Sequence, residues 1–521
     1  MVYIRRISLL FILPLLFSCG RNNKDVKQST VDKNKIENMT NYTEQFRPQF
    51  HFSPQRKWMN DPNGLVYNDG VYHLFYQYYP EDIVWGPMHW GHAVSKDMIS
   101  WEHKAIALYP DDHGDIFSGS AVLDSDNTSG LGTEDNPPLV AIFTYHLMAG
   151  EKDRRNDFQT QGIAYSLDNG DTWTKYDGNP VIGNTGIKDF RDPKVFWDYQ
   201  AEHWVLILVA GDHAKFYESD NLKDWKHLSD FGRNQGAHGG VWECPDLFKL
   251  KVEGTDEEKW ILLISINPGA PNGGSGTQYF VGDFDGKTFT ADHKDHKWID
   301  MGADNYAGVT YNNTPKNERI FIGWMSNWNY AQNTPTKEWR SAMTLPRKLS
   351  LIKEDNTYYI TSNVVESFND RISIVKEEES ISLDKTFMLE HQNYNQSEIK
   401  FQTDLSKPIE IAFKNQMGET LIFEIDPVKK EMSLDRRKSG LTNFEVRFAN
   451  KIHSLPYIVS DKVVDVRIIL DWSSIEIFVD EGKYVMTEQI FPTEFYNNLQ
   501  INSKLKTTIN NFKLNTIKSI W

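Results

Sequence analysis

The sequence predicts an all-β protein, a five-bladed β-propeller over residues 46–350 followed by a β-sandwich over residues 375–521. Three observations predict it. The first two-thirds of the chain is a succession of short apolar runs with turn residues every 8–12 positions. Within it, five polar residues each stand just ahead of two such runs: Asp61, Ser118, Asp192, Glu243 and Tyr306, spaced roughly 50–75 residues apart. Repeated four-stranded units without intervening helices describe propeller blades. If every blade starts at the same rim, the five entrance residues converge on one central pocket. From Leu351 the character changes to a two-residue alternation, as in Leu421, Phe423 and Ile425 and again in Ile475, Ile477 and Val479. That is the period of a half-buried antiparallel sheet.

The chain opens on Arg5-Arg6, an apolar run from Ile7 to Phe17, and Ser18-Cys19-Gly20. The run is too short to cross a membrane and has the flanks of a signal peptide, which assigns residues 1–18 to export. Leu16-Phe17-Ser18-Cys19 resembles a bacterial lipobox. The resemblance implies cleavage before Cys19, a lipid on its thiol, and an exported lipoprotein anchored to a membrane, facing the periplasm or the cell surface. A plain secretory peptide is the alternative. Residues 19–45 are polar and charged and read as a flexible tether.

The blades follow in order. Asp61 leads into residues 65–77, with Asn68-Asp69-Gly70 as a hairpin turn. Ser118 leads into 121–123 and 139–145, and Asp192 into 195–197 and 204–209. Glu243 leads into 247–250 and 260–264, and Tyr306 into 309–311 and 320–324. Blade ends share a Ser and Asp with a following Trp: Ser95, Asp97 and Trp101; Ser166, Asp168 and Trp173; Ser219, Asp220 and Trp225. Asp283-Phe284-Asp285-Gly286 with Phe289 is a degenerate fourth copy. Residues 351–374 read as a linker, polar and helical toward its end.

Three entrance residues belong to acidic motifs built around proline: Trp58-Met59-Asn60-Asp61-Pro62-Asn63-Gly64, Phe190-Arg191-Asp192-Pro193, and Trp242-Glu243-Cys244-Pro245-Asp246. Proline lacks an N–H and biases its predecessor toward extended backbone, which suits the start of a strand. Asp61, Asp192 and Glu243 are therefore expected on stiff, extended entrances. Breaking a glycosidic bond needs such a set, one acid to protonate the leaving oxygen and one carboxylate to attack or activate water.

Composition agrees with that chemistry. A net charge of −16, or −18 once Arg5 and Arg6 leave with residues 1–18, disfavours nucleic acid as a partner. No phosphate-cradling loop or dinucleotide fingerprint occurs. Sixteen Trp and 23 Tyr suit an uncharged carbohydrate. Two cysteines exclude a disulfide framework. His89 and His92 have no third ligand nearby and read as structural, so neither metal nor other cofactor is expected.

With the motifs assembled, the chain resembles glycoside hydrolase family 32, the invertase, inulinase and levanase group. Residues 58–64 match its WMNDPNG signature, residues 190–193 its FRDP element and residues 243–245 its ECP element. Leu434-Asp435-Arg436 and the run from Asp471 to Phe478 resemble its C-terminal domain. The resemblance implies Asp61 as nucleophile, Glu243 as general acid and later base, and Asp192, ionised beside Arg191, as transition-state stabiliser. It also implies a pocket in which Trp58, Asn60, Gln77, Ser118, Arg191 and Tyr306 meet substrate and Trp85, Phe117 and Trp328 form walls. Where the element around Gln77 usually has Asn, this chain has Tyr79. Residues 323–331 and 339–347 are most similar to bacterial levanases and exo-inulinases, which implies release of terminal fructose from levan, inulin or sucrose. Competing readings are an endo-acting levanase, an inverting five-bladed arabinofuranosidase or xylosidase, and a non-catalytic fructan-binding lipoprotein.

Overall fold

A computed structural model describes residues 41–521, and strands make up almost all of its regular structure. The expected export signal, Cys19 and most of the tether lie outside the described residues. The tether's last residues are fastened down. Tyr42 stacks on Trp521 with ring centroids 4.0 Å apart, and Glu44 pairs with the buried Arg47 at 2.6 Å.

Five antiparallel sheets follow in chain order. Their innermost strands are Lys57–Asn68, Asp115–Leu123, Phe190–Asp198, Val241–Lys251 and Tyr306–Thr310. Each lies beside the next and the fifth beside the first, so the sheets close into a ring of five blades. The fifth blade also lends the first a short strand, Trp339–Arg340, parallel to Lys57 and Trp58. The repeated Ser/Asp/Trp endings are turns at the outer edge of the blades. Ser95 bonds Asp97 and Ser166 bonds Asp168; in the third copy Asn221, not Asp220, accepts from Ser219 and from the next backbone amides.

Below the entrance residues, buried polar cross-links close the axis. Lys194 donates to the Thr310 carbonyl and lies 3.2 Å from Asp246, which accepts from the Thr310 amide and hydroxyl. Asn312 donates to the carbonyls of Ala121 and Val195 and bridges to Val66, so all five blades are joined there. The space above is open at one end.

The propeller runs past residue 350. Arg347–Glu354 and Thr357–Val364 form the outer hairpin of blade five, because Leu349, Leu351 and Ile360 pack with Phe248 and Ile261 of blade four. Of the linker expected over residues 351–374, only the 3-10 turn Glu366–Arg371 stands apart from the sheets, and the next strand begins at Ile372.

The C-terminal part is a sandwich of two six-stranded sheets. Leu421, Phe423 and Ile425 are buried in its core as their alternation predicts. Strand Ser474–Val479 is instead buried on both faces. Ile475, Ile477 and Val479 enter the sandwich core, while Phe478 packs with propeller residues. Charged side chains stitch the same interface. Arg347 of blade five bonds Asp300 at 2.9 Å and Glu476 at 2.7 Å. Glu476 and Asp471 hold the two ring nitrogens of His51 at 2.9 and 2.7 Å. Arg436 joins Asp304 and Glu488 at 2.5 and 2.7 Å. All of these groups are buried, where breaking one pair strands a charge.

Candidate active site

All five blades contribute to a cavity of about 210 Å³ at the open end of the axis. Each innermost strand carries a register irregularity there: between Met59 and Pro62, Ile116 and Gly119, Arg191 and Lys194, Glu243 and Asp246, and Tyr306 and Val309. A bulge bends the strand and re-aims its side chains, which lets the motif acids face the cavity while apolar neighbours stay inside the blades.

The bulges correct one expectation. Asp192 and Cys244 precede prolines yet have φ of +63° and +45°, and Ala307 has +53°. These residues sit in the left-handed region, which costs of order 1–3 kcal/mol each and persists only where the surroundings impose it. Here the Asp192 amide donates to Thr144 Oγ1 at 2.9 Å, and the Cys244 amide donates to Asp192 Oδ2 at 3.1 Å. The strained backbone thus aims one amide at a carboxylate that borders the cavity.

Asp61 is held through both oxygens. Ser118 Oγ donates to Oδ2 at 2.7 Å, with the Cys244 thiol 3.5 Å from the same oxygen. Asn60 Nδ2 donates to Oδ1 at 3.0 Å. The Asn60 amide is itself oriented, because Trp58 Nε1 donates to its oxygen at 2.7 Å. Glu243 is the second fixed carboxylate. Arg191 Nη2 donates to its Oε1 at 2.7 Å and the Tyr306 phenol donates to its Oε2. Arg191 also reaches Asp189 at 2.8 Å and lies 3.7 Å from Asp192. Burial opposes the charge on Arg191, but Glu243, Asp192 and Asp189 outweigh it and hold the guanidinium protonated.

Asp192 departs from its expected ionised state. Burial pushes its carboxyl up to about 7; Arg191 opposes this, while the charges of Glu243 and Asp61 add to it. Like charges in one buried site disfavour ionisation, and at Asp192 burial is the larger cause.

Asn60, Gln77, Trp85, Phe117, Ser118, Arg191 and Trp328 all border the cavity with the three acids. Trp58 and Tyr306 do not; both are buried, at 0% and 1% exposure, and stand one layer behind. Trp58 orients Asn60 and stacks on Trp328 at 5.9 Å, while Tyr306 backs Glu243. Tyr79 packs its ring against Gly86, where any side chain would collide, and so supports the segment bearing Trp85. His92 is buried with its Nε2 3.1 Å from His73 Nδ1, and His89 bonds the Pro87 carbonyl at 3.0 Å. His146, Glu151, Gln159 and Asp189 line the cavity without having been singled out in the sequence. Only Asp189, two residues before the Arg191-Asp192 pair, had a nearby motif to point to it.

Comparison with known proteins matches both halves of the chain. Residues 51–362 match the glycosyl hydrolases family 32 N-terminal domain, and residues 361–516 match the glycosyl hydrolases family 32 C terminal. The levanase of Bacillus subtilis (strain 168) is 44% identical over 494 residues, covering 92% of this chain and 72% of that protein. An extracellular exo-inulinase of Aspergillus niger is 41% identical over 491 residues, covering 87% of this chain and 91% of that one. Among solved structures, the exo-inulinase of Aspergillus awamori superposes with a TM-score of 0.85 at 38% identity, covering 92% of this chain and all of that one. A Schwanniomyces occidentalis β-fructofuranosidase bound to fructosyl-erythritol gives 0.81 at 30% identity, covering 92% and 98%.

Proposed function

The chain belongs to glycoside hydrolase family 32, and from that premise we propose that it is a retaining exo-β-fructosidase releasing terminal fructose from levan, inulin and sucrose. One observation carries this reading. Asp61 and Glu243 face a single cavity of about 210 Å³ with the Lys194, Asp246 and Asn312 cross-links beneath it, a small floored pocket that favours a chain end over a chain middle.

Asp61, pinned through both oxygens, attacks the anomeric carbon of the bound fructose. The bond to the leaving oxygen breaks as Glu243 hands that oxygen its proton, and the fructosyl group rests on Asp61. Water then gives a proton to Glu243 and displaces Asp61, so two inversions restore the original configuration. Arg191, held cationic between Glu243 and Asp189, keeps the acid in place. Asp192 offers hydrogen bonds to ring hydroxyls as positive charge develops on the sugar.

Incubation of purified protein with levan, inulin and sucrose tests the reading. Free fructose as the sole early product from the polymers supports exo action, while early oligosaccharides would overturn it. Asp61→Asn should abolish release; equal activity of mutant and wild type would return the protein to the binding class.

We further propose that the protein is exported and membrane-anchored through a lipid on Cys19, a reading supported by Arg5-Arg6, the apolar run and the lipobox-like Leu16-Phe17-Ser18-Cys19. Cys19→Ala should move the protein from the membrane fraction to the soluble one; unchanged fractionation would refute the anchor.

A further inference from the structure

The wall of the cavity on blade two is built for contact, although the reaction above makes no use of it. His146, Glu151 and Gln159 border the cavity there and form one hydrogen-bonded chain. Gln159 Nε2 donates to His146 Nδ1 at 3.0 Å, which leaves the ring proton on Nε2, and Nε2 donates to Glu151 Oε2 at 3.0 Å. The imidazole lies flat on Phe117, with centroids 4.1 Å apart and planes 8° apart, so its direction is fixed. Acceptor capacity is left over at both ends of the chain. Gln159 is 1% exposed, and its Oε1 finds no partner among the described residues. A buried amide oxygen without a donor costs of order 1–3 kcal/mol, which marks a place where something else is meant to donate. At the other end Glu151, whose side chain is 48% exposed, spends Oε2 on His146 and keeps Oε1 for the cavity mouth.

Depth tells which part of a substrate meets this wall. Asn60, Gln77 and Ser118, deep in the cavity beside Asp61, are 2–4% exposed. Glu151 sits at the mouth, on the short helical turn Met148–Lys152. The terminal fructose occupies the deep part, so the unit that Glu243 releases lies at the level of Glu151. We propose that Glu151 binds hydroxyls of the departing sugar, with His146 and Gln159 as the positioning residues that hold its carboxylate toward them. The inference rests on the exo-β-fructosidase reading and adds to it the group that recognises the leaving half. A carboxylate accepting from sugar hydroxyls makes charge-assisted bonds, and these have no counterpart when the leaving group carries no hydroxyl.

That difference supplies the test. Sucrose and para-nitrophenyl β-D-fructofuranoside present the same fructosyl unit, but only sucrose has hydroxyls on its leaving group. In Glu151→Ala the ratio of kcat/KM on sucrose to kcat/KM on the aryl fructoside should fall about tenfold, the worth of one hydrogen bond to a charged group. Most of the fall should appear in KM for sucrose. Glu151→Gln, which loses the charge and gives its single oxygen to His146, should recover only a small part of the ratio. A ratio within about twofold of wild type in Glu151→Ala would overturn the proposal, as would equal losses on both substrates. Wild-type protein inactive on both substrates would instead remove the fructosidase reading, a result distinct from an unchanged ratio in an active enzyme.

Discussion

Ser118 and Asp61 meet across the boundary between the first two blades, the hydroxyl donating to carboxylate Oδ2 at 2.7 Å. Together with the Asn60 bond to Oδ1, this bond fixes the rotation of the carboxylate. Ser118→Ala should lower kcat by about 10- to 100-fold, the usual worth of a hydrogen bond to a charged group, with a smaller effect on KM. Steady-state kinetics on sucrose would check it. A loss under about threefold would mean that Asn60 and Cys244 orient Asp61 without help.

Trp58 never touches the cavity, yet its indole N–H decides which way the Asn60 amide faces. Trp58→Phe keeps a ring against Trp328 and removes the donor. The amide is then free to turn its oxygen toward Asp61, where two acceptors repel. We expect kcat/KM to fall about tenfold and stability to drop by about 1–2 kcal/mol for the lost buried bond, read from kinetics and a denaturant titration.

Asp192 carries a pH signature. Burial is the main cause that pushes it up to about 7, above an unfolded value of about 4. Between those values the folded chain holds a proton that the unfolded chain has lost. The resulting stability is fully present below about pH 4 and is lost as the pH rises through 7. Asp192→Asn mimics the protonated acid and should therefore gain on wild type by up to a few kcal/mol between pH 5 and pH 8. Its kcat should fall most above pH 7, by about 10²- to 10³-fold, where wild type carries a charge that Asn lacks. Thermal melts at a series of pH values decide; a constant difference between the two proteins would contradict the raised carboxyl.

His51 shifts in the same direction for a different reason. Burial opposes its charge, but Asp471 and Glu476 outweigh burial and raise it to about 9. A histidine raised above its unfolded value contributes stability in full below about pH 6.5, and loses it as the pH rises through 9. His51→Gln should cost about 3–5 kcal/mol at pH 6, because two buried carboxylates lose their cation. The gap between the two proteins should narrow toward pH 10 in urea titrations. A pH-independent gap would show that His51 acts through packing alone.

Much of this was legible in the residues, and the failures have physical reasons. Five entrance residues at regular spacing gave the blades, because an inner strand must begin at the rim each time. The alternation of Leu421, Phe423 and Ile425 gave the sandwich core. The same alternation misjudged Ser474–Val479, whose second face is covered by the propeller rather than by water. Local rules put Asp192 and Cys244 in extended backbone, since nothing near them in sequence reports the bulge that tertiary packing imposes. Trp58 shares a motif with Asn60 and Asp61, and Tyr306 stands at a blade entrance, yet both lie one layer behind, because the bulges override the two-residue alternation in deciding which side chains face the cavity. His146 and Gln159 belong to two paired strands, and Glu151 to the turn between them. Only folding brings them together, so no run of residues announces them.

The cross-linked floor has a consequence for traffic. With one doorway, the proposed reaction requires the shortened chain to withdraw before water reaches the sugar held on Asp61, and that sugar then leaves last by the same route. Sliding along a polymer from one bond to the next is ruled out, since every turnover empties the site. Accumulated monosaccharide, as the last species to depart, would occupy the seat that the next chain end needs.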